Sequence, residues 1–305
     1  MKIAVIGSGG VGGFFGGLLA QAGHDVAFIA RGAHLRAIRT RGLKIERPSG
    51  GFTIAPANAT DDPADIGPVD LALLCVKTYD LPEALAQMRP LVGPQTSVLT
   101  LQNGVEAPDM VAAAFGVQAA LPGLVYCEVA VKEPGVIFQG SALQRIVLGE
   151  FDGTRTPRAG TIAAAFADAG AETTLSENVL GALWSKFCFI CAMGGCTTLA
   201  RCSLGALLAD DEGRRLLHII MTEIRTVGEA NGVRFDADPV VAGMATAARF
   251  PFETKSSMQR DLERGARLEI EALNGAAVRL GRALGVPTPA NQVIYAALRL
   301  AQPQA

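Results

Sequence analysis

One lysine stands in a strongly apolar stretch of the chain. Lys186 is flanked by Trp184, Phe187 and Phe189, and the residue one helical turn later is Ile190, so no acidic partner follows it on a helix. An ammonium group among apolar side chains needs a partner from elsewhere or a ligand. Its alternative is to reach solvent along its own methylene stem. Lys186 is therefore the first candidate site residue.

Two serines and two glutamates supply further candidate polar groups nearer the C-terminal end. Ser256 and Ser257 precede a predicted helix, where hydroxyl groups either cap the helix or bind anions, and both roles stay open. On that helix the spacing places Glu269 on a face with Leu273, whereas Glu271 is predicted to face solvent. Glu269 is therefore the carboxylate expected to lie near a site.

The first thirty-one residues have the pattern of a dinucleotide-binding unit. An apolar strand over residues 2–6 leads into a G-x-G-x-x-G sequence, a helix follows over residues 13–22, and a second strand covers residues 26–30. The first glycine permits a sharp turn, the second permits close approach of a pyrophosphate, and the third lets the helix pack on the strand. The helix N-terminus then binds the anion. The predicted cofactor-binding loop consists of Gly7, Ser8, Gly9, Gly10, Val11 and Gly12.

The residue at the end of the second strand distinguishes the two nicotinamide cofactors. A carboxylate there would bind the ribose 2′-hydroxyl of NAD, but this chain has Arg31, followed by Arg36 and Arg39. A guanidinium group suits a 2′-phosphate, so we expect NADP(H). The alternative is that Arg31 is an ordinary solvated loop residue.

Polar residues follow two later strands of the predicted parallel sheet. Lys77 comes directly after the apolar run 69–76, and Asn103 follows the run 98–101. Ligands bind beyond the carboxyl ends of parallel strands, so Lys77 could reach the cofactor, or could be a surface lysine. Asn103 could bind a nicotinamide amide or a substrate carboxylate. Alternatively, it could form a simple Asn-Gly turn with Gly104.

Composition and charge exclude several classes of protein. The chain has 305 residues, of which 50% are hydrophobic, so it can form two domains with ample cores. Its net charge of −2 gives no basic surface for nucleic acid or for a membrane. The uncharged residues 3–23 have a composition that a signal peptide also shows, but their many glycines would break a signal helix. We therefore expect a cytoplasmic protein.

The cysteines and histidines do not suggest a metal site. Cys188 and Cys191 have C-x-x-C spacing, with Cys196 and Cys202 beyond them. On a helix this spacing forms one apolar stripe, whereas structural zinc ligands usually come from turns. The three histidines are scattered along the chain. We expect packing of small thiols and no metal cofactor.

The order of predicted elements divides the chain near residue 176. Strands and helices alternate before it, and every predicted element after it is a helix. The helices are predicted over residues 178–199, 204–232, 238–250, 257–285 and 291–300. The fold class is therefore α/β: a Rossmann-type doubly wound sheet in residues 1–176, followed by an all-α domain in residues 177–305.

Several of these stretches together resemble the ketopantoate reductase (2-dehydropantoate 2-reductase) family along the whole chain. The glycine loop is shared by many enzymes, but the lysine, serine and glutamate motifs at these distances are specific. The matching features are residues 7–12, Arg31, Lys77-Thr78, Leu-Gln-Asn103-Gly, Trp184-x-Lys186, Ser-Ser257-Met, Glu269-Ile and Gly285-Val-Pro-Thr-Pro.

The resemblance implies NADPH-dependent reduction of a 2-oxo acid. By that likeness Lys186 is the general acid, Asn103 and Ser257 contact substrate, and Glu269 organises Lys186, the substrate and the nicotinamide ribose. The chemistry is consistent, because hydride addition to a ketone builds negative charge on its oxygen. A positioned ammonium group stabilises that charge and supplies the proton.

The chain departs from the family where the family pattern has asparagines. Ile190, Gly194 and Leu204 occupy those places, and Thr198 lies one turn further along. Ile190, Gly194 and Thr198 would line the substrate pocket with Lys186. 2-Dehydropantoate is the leading substrate, yet this wall predicts better activity on a plain branched or aromatic 2-oxo acid.

Two other functions stay open, and so does the oligomeric state. One is an NADPH-dependent reductase of a more apolar ketone or imine, and the other is an NADPH-binding sensor without turnover. The expected partner is a small-molecule 2-oxo acid, without nucleic acid or membrane, and a homodimer is left open.

Overall fold

The computed structural model describes residues 1–302. Its contact pattern divides the chain into two compact units. The first unit contains Met1–Gln102 and Ala107–Val179, and the second contains Asn103–Glu106 together with the chain from Leu180 onward.

The first unit is built on a ten-stranded mixed sheet covered by helices. Its strands are β1 (Lys2–Ile6), β2 (Asp25–Ile29), β3 (Leu43–Glu46), β4 (Phe52–Ile54), β5 (Asn58–Thr60), β6 (Leu71–Leu74), β7 (Ser97–Thr100), β8 (Ala120–Glu133), β9 (Val136–Leu148) and β10 (Glu172–Leu175). Its helices are α1 (Gly10–Gln21), α2 (Gly32–Arg41), α3 (Leu81–Gln87), α4 (Ala107–Phe115) and α5 (Pro157–Asp168).

The strand order confirms the doubly wound fold predicted from sequence. The sheet runs β4-β3-β9-β8-β7-β6-β1-β2-β5, with β10 paired to β9. The six strands from β8 to β5 are parallel neighbours. On one side of β1 the sheet continues to β2 and β5, and on the other side it continues to β6 and β7. The switch point of the topology, where such sheets bind ligands, therefore lies between β1 and β6.

Alternation along the parallel strands explains why helices cover both faces. Val5 of β1 packs in one buried cluster with Phe14 of α1, whereas the next residue, Ile6, packs in another with Leu81 of α3. Successive side chains of a strand point to opposite faces, so apolar residues at consecutive positions require two covering layers.

The long hairpin of β8 and β9 differs from the sequence prediction. The apolar runs at residues 136–138 and 145–148 each predict a separate short strand, but β9 is continuous and pairs antiparallel with β8, with register shifts. The middle of β9 is polar or exposed, from Gly140 to Gln144, and therefore lacks the apolar signal of a strand. The short edge strand β5, helix α4 and strand β10 were also not predicted.

The second unit is all-helical, as predicted. Its helices are α6 (Val179–Ala200), α7 (Leu204–Ala209), α8 (Asp211–Ala230), α9 (Pro239–Ala247), α10 (Ser257–Glu263), α11 (Asn274–Leu284) and α12 (Pro289–Leu300). The predicted helix over 204–232 is in fact two helices, because the Asp210 side chain accepts a hydrogen bond from the backbone N–H of Gly213 and caps α8.

The predicted helix over 257–285 is wrong in its middle. The helix ends at Glu263, residues 264–273 form two turns joined by irregular chain, and Gly265 has a φ of +65°. Glu269 and Glu271 therefore lie in this turn segment, so the helical-face argument does not apply to them. Glu269 is nevertheless buried, with 8% of its surface exposed.

Buried amides join four helices of the second unit. Asn274 of α11 donates to Asn291 Oδ1 of α12 over 2.9 Å and to the carbonyl of Cys191 in α6 over 3.4 Å. Asn291 donates in turn to Glu223 Oε2 of α8 over 2.7 Å. A Cβ at Gly195 would lie 3.1 Å from the Asn274 amide, so glycine lets α6 approach this network. The network holds α6, which carries Lys186.

Helix α6 is also the one helix within residues 1–302 that is long and apolar enough to cross a membrane. Of its most apolar window, 67% is buried inside the protein, as in the core helix of a globular domain. Cys188 and Cys196 contribute to this burial, which raises the pKa of both thiols to about 12. Within the described residues no group of His, Cys, Asp and Glu could hold a metal ion.

Candidate active site

Three glycines between the end of β1 and the first turn of α1 differ in what requires a glycine at each position. Gly7 has a φ of +90°, and a Cβ there would lie 2.8 Å from the backbone nitrogen of Val76. A Cβ at Gly12 would lie 2.3 Å from the carbonyl oxygen of Gly7. A Cβ at Gly9 would meet no atom within 4 Å. Packing therefore requires glycine at 7 and 12, while the open space at Gly9 fits the close approach of a ligand.

The other three residues of the Gly7–Gly12 sequence are held by contacts within the protein. Ser8 is buried, and its hydroxyl donates to the carbonyl of Ile29 over 3.0 Å. A Cβ at Gly10 would lie 2.9 Å from the carbonyl oxygen of Val129, because the β8–β9 hairpin packs on the start of α1. Val11 is half-buried. Gly9 caps α1 without a side-chain hydrogen bond, so the N–H groups of the first turn suit an anion.

His34 fixes this loop, and sequence reasoning missed it. Its Nδ1 accepts the backbone N–H of Gly135 over 3.1 Å, which leaves the proton on Nε2, 2.8 Å from the carbonyl oxygen of Ser8. Burial lowers the pKa of the His34 imidazole and favours this neutral form. The two partners are 26 and 101 residues away in sequence, so no local signal could identify them.

Arg31 lies just beyond the end of β2, where sequence placed it, but it already has acidic and amide partners. Its Nη2 donates to Glu83 Oε1 over 2.9 Å and to Gln87 Oε1 over 2.7 Å. Glu83 and Gln87 belong to α3, which sequence analysis did not connect with Arg31. All three side chains are exposed, so a ligand can reach the guanidinium.

Lys77 lies at the switch point of the sheet. It follows β6, caps a short 3-10 turn at Thr78–Asp80 and is half-buried. Its neighbour Val76 is the residue against which Gly7 packs. The structure therefore brings Lys77 to the same edge of the sheet as the glycine loop, as the strand-end argument predicted.

In the second unit the structure brings Lys186 and Asn103 together. Lys186 Nζ donates to Asn103 Oδ1 over 3.0 Å, although 83 residues separate them, and both side chains are half-buried. The pairing supports a partner for the ammonium group from a remote segment. Asn103 begins the short segment Asn103–Glu106, which the contact pattern groups with the helices.

Two contacts clamp that segment. Gly104 has a φ of +97°, and a Cβ there would lie 2.9 Å from the carbonyl oxygen of Ala272. Glu106 accepts a hydrogen bond from Arg279 over 2.8 Å. Arg279 also donates to Glu271 over 3.4 Å, and the Tyr295 hydroxyl donates to the same carboxylate over 2.8 Å. Glu271, predicted to be solvated, thus helps to hold the segment that carries Asn103.

Two family models match almost the whole chain. The model described as ketopantoate reductase PanE/ApbA matches residues 3–153, and the model described as ketopantoate reductase PanE/ApbA C terminal matches residues 178–302. The chain belongs to the ketopantoate reductase family. Members of this family are oxidoreductases, and the chain is therefore one too.

Relatives within the family cover the chain from end to end. The 2-dehydropantoate 2-reductase of Mesorhizobium japonicum is 34% identical over 98% of this chain and 97% of its own length. A PanE/ApbA family ketopantoate reductase from Ralstonia eutropha superposes with a TM-score of 0.91 at 36% identity, covering 99% of this chain and 98% of that one. The 2-dehydropantoate 2-reductase of Geobacter metallireducens superposes with a TM-score of 0.93 at 32% identity, covering 99% and 100%.

The face of α6 that carries Ile190 and Gly194, where the chain departs from the ketopantoate reductase pattern, is apolar, and other side chains pack against it. A glycine at position 194 predicts open space beside the helix, yet a Cβ there would lie 3.4 Å from Met258 Cε and 4.0 Å from Leu273 Cδ1. Ile190 is half-buried, and Leu204 is fully buried at the start of α7. Remote apolar side chains therefore fill part of the volume that the small residue leaves.

Hydroxyl groups flank this face. Thr198 is 1% exposed, and its Oγ1 has no hydrogen-bond partner within residues 1–302. Ser256 caps α10 and bonds to Thr197, so its hydroxyl is used within the fold. Ser257, the first residue of α10, is exposed. Of the two serines, Ser257 is thus the one whose position suits a ligand.

Proposed function

We propose that this protein reduces a 2-oxo acid to the 2-hydroxy acid with NADPH. The observation that carries the proposal is the hydrogen bond from Lys186 Nζ to Asn103 Oδ1. It places an oriented ammonium group in an otherwise apolar helix. The family assignment and the 2-dehydropantoate 2-reductases among its relatives support the same reaction class.

The first unit has the groups that a dinucleotide needs. The loop from Gly7 to Gly12 would hold the pyrophosphate, because Gly9 leaves space for it and the first turn of α1 offers N–H groups. Lys77 would add a positive charge at the same sheet edge, and Arg31 would bind the 2′-phosphate. When bound, the nicotinamide supplies the hydride.

Lys186 would supply the proton. Its Nζ carries hydrogens beyond the one donated to Asn103, and one of them would pass to the carbonyl oxygen as charge develops there. Asn103 uses its oxygen to aim Lys186, so its amide N–H groups suit a substrate carboxylate. Glu269, buried in the 264–273 segment, would organise the lysine and the substrate, and Ser257 would contact substrate.

Two candidate substrates differ in the polarity of their side chains. The named activity of the relatives favours 2-dehydropantoate. The apolar groups around Gly194, with Ile190 on the same helix face, favour a 2-oxo acid that has a plain branched or aromatic side chain. A substrate hydroxyl group buried against these apolar side chains would lose the hydrogen bonds that it makes in water, at a cost of about 1–3 kcal/mol. We propose the apolar 2-oxo acid as the better substrate.

A matched pair of substrates tests the proposal. NADPH oxidation should be measured with 2-dehydropantoate and with 3,3-dimethyl-2-oxobutanoate, which lacks only the hydroxyl group, together with phenylpyruvate. Lys186→Met serves as the control for the chemical step. We expect turnover with all three and a higher kcat/KM for the two apolar acids. NADPH binding without turnover on any 2-oxo acid would instead indicate a sensor.

The same proposal covers the location of the protein and its binding partner. All six cysteines are free thiols, which supports a reducing compartment such as the cytoplasm. The small-molecule substrate would be the principal partner.

A further inference from the structure

The guanidinium group proposed to bind the cofactor phosphate is already engaged by a carboxylate. Arg31 Nη2 donates to Glu83 Oε1 over 2.9 Å and to Gln87 Oε1 over 2.7 Å. Gln87 Nε2 donates to the same Glu83 oxygen over 2.8 Å. The three side chains form a closed triangle, with Glu83 and Gln87 one helical turn apart on α3.

This triangle is accessible to a ligand. The side chains of Arg31 and Glu83 are 62% and 56% exposed. A group that approaches Arg31 from solvent therefore meets the Glu83 carboxylate as well. Because both charges are near the surface, their effect on a ligand is moderate and is screened by salt.

The two nicotinamide cofactors would experience Glu83 differently. The 2′-phosphate of NADPH is an anion that must share Arg31 with the Glu83 carboxylate. The two negative charges would therefore repel each other. NADH has a 2′-hydroxyl group instead, and a carboxylate is the group that binds this hydroxyl in NAD-specific sites. Glu83 of α3 would then supply the carboxylate that the chain lacks after β2.

We propose that Glu83 is a specificity-determining residue that weakens NADPH binding, supports NADH binding and so lets the protein bind both cofactors. Gln87 keeps Arg31 in place when Glu83 turns away, so Arg31 remains available to a phosphate. The proposal rests on the assignment of Arg31 to the cofactor phosphate made above.

The test is Glu83→Gln, which retains a hydrogen-bond acceptor for Arg31 and removes the charge. The dissociation constants of NADPH and NADH are measured by quenching of protein fluorescence, at low and at high ionic strength. We expect NADPH to bind about three- to tenfold more tightly at low salt and NADH to bind more weakly than to the unchanged protein. The gain should shrink at high salt.

The matched control is Glu172→Gln. Glu172 lies on β10, is 66% exposed and forms an ion pair with Arg145, so its loss changes the net charge of the same unit equally. It should leave both dissociation constants unchanged. An equal gain for NADPH in this control, or an unchanged NADPH-to-NADH ratio in Glu83→Gln, would overturn the role of Glu83.

Arg31→Ala separates this inference from the function on which it rests. Selective weakening of NADPH by Arg31→Ala, together with a neutral Glu83→Gln, would remove only the role of Glu83. Equal weakening of both cofactors by Arg31→Ala would remove the assignment of the 2′-phosphate to Arg31 and, with it, the role of Glu83, but would leave the proposed reduction of a 2-oxo acid to the test with Lys186→Met.

Discussion

The hydrogen bond between Lys186 and Asn103 predicts a specific pattern of kinetic losses. Asn103→Ala removes the Oδ1 atom that lies 3.0 Å from Lys186 Nζ, without changing the lysine. A hydrogen bond to a charged group contributes about 1.5–3 kcal/mol. If the bond serves to aim the lysine at the substrate, its loss lowers kcat by roughly 10- to 150-fold.

The double-variant cycle makes the prediction sharper. Lys186→Met should lower kcat by roughly a hundredfold or more, because the general acid is gone. Once Lys186 is absent, Asn103 has no lysine to orient, so the variant carrying both changes should lose little kcat beyond Lys186→Met, while the lost contact of Asn103 with the substrate carboxylate raises KM. The coupling energy should therefore approach the full cost of Asn103→Ala.

The assay is steady-state NADPH oxidation, with NADPH affinity measured separately by fluorescence titration. Affinity should stay within about twofold in all variants if the loss is in the chemical step. Asn231→Ala, an exposed amide at the end of α8, controls for the loss of an amide in the same unit and should keep full activity. Additive losses in the cycle would refute the reasoning, since they would mean that Asn103 and Lys186 act independently.

Four further predictions follow from other contacts. Glu269→Ala should lower kcat and raise KM together in steady-state kinetics, because its proposed role joins lysine and substrate; a change in only one constant would contradict that role. His34→Ala should weaken NADPH binding in calorimetric titration by about three- to tenfold through loss of its bond to Ser8, and His34→Gln, which retains a donor and an acceptor, should recover most of it. Gly104→Ala and Gly232→Ala both place a side chain at positive φ and should each lower the free energy of unfolding by about 1–2 kcal/mol. Only Gly104→Ala should also lower kcat, because its Cβ would lie 2.9 Å from the carbonyl oxygen of Ala272. Ile190→Asn should raise kcat/KM for 2-dehydropantoate relative to 3,3-dimethyl-2-oxobutanoate; an unchanged ratio would place Ile190 outside the pocket.

Sequence reasoning succeeded where the determining contacts are local. The glycine loop was predicted because strand, turn, helix and second strand all occur within the first thirty-one residues. Lys77 was placed at the sheet edge because an apolar run ends directly before it. Such signals depend only on periodicity and neighbouring residue types.

Contacts made by remote segments were not predictable from one sequence. Arg31 and Glu83 are 52 residues apart, and the segments that fill the space at Gly194 start more than 60 residues later. The break between α10 and α11 was missed for another reason. The run around Glu269 has apolar residues at helical spacing, but Gly265 takes a left-handed conformation and residues 264–273 are not helical. Tertiary packing overrode the local pattern there.

The open space at Gly9 means that folding and cofactor binding make different demands on this position, and genetic selection would distinguish the two. A screen for folded protein should reject added side chains at Gly7 and Gly12, where a Cβ meets backbone atoms, and accept alanine at Gly9, where φ is −73° and nothing lies within 4 Å. A screen for growth on the enzyme's activity should reject alanine at all three. Gly9→Ala should therefore give a folded protein that does not bind the cofactor and can serve as a reference. A random library selected for folding should report this change as neutral, and one selected for activity should report it as lethal.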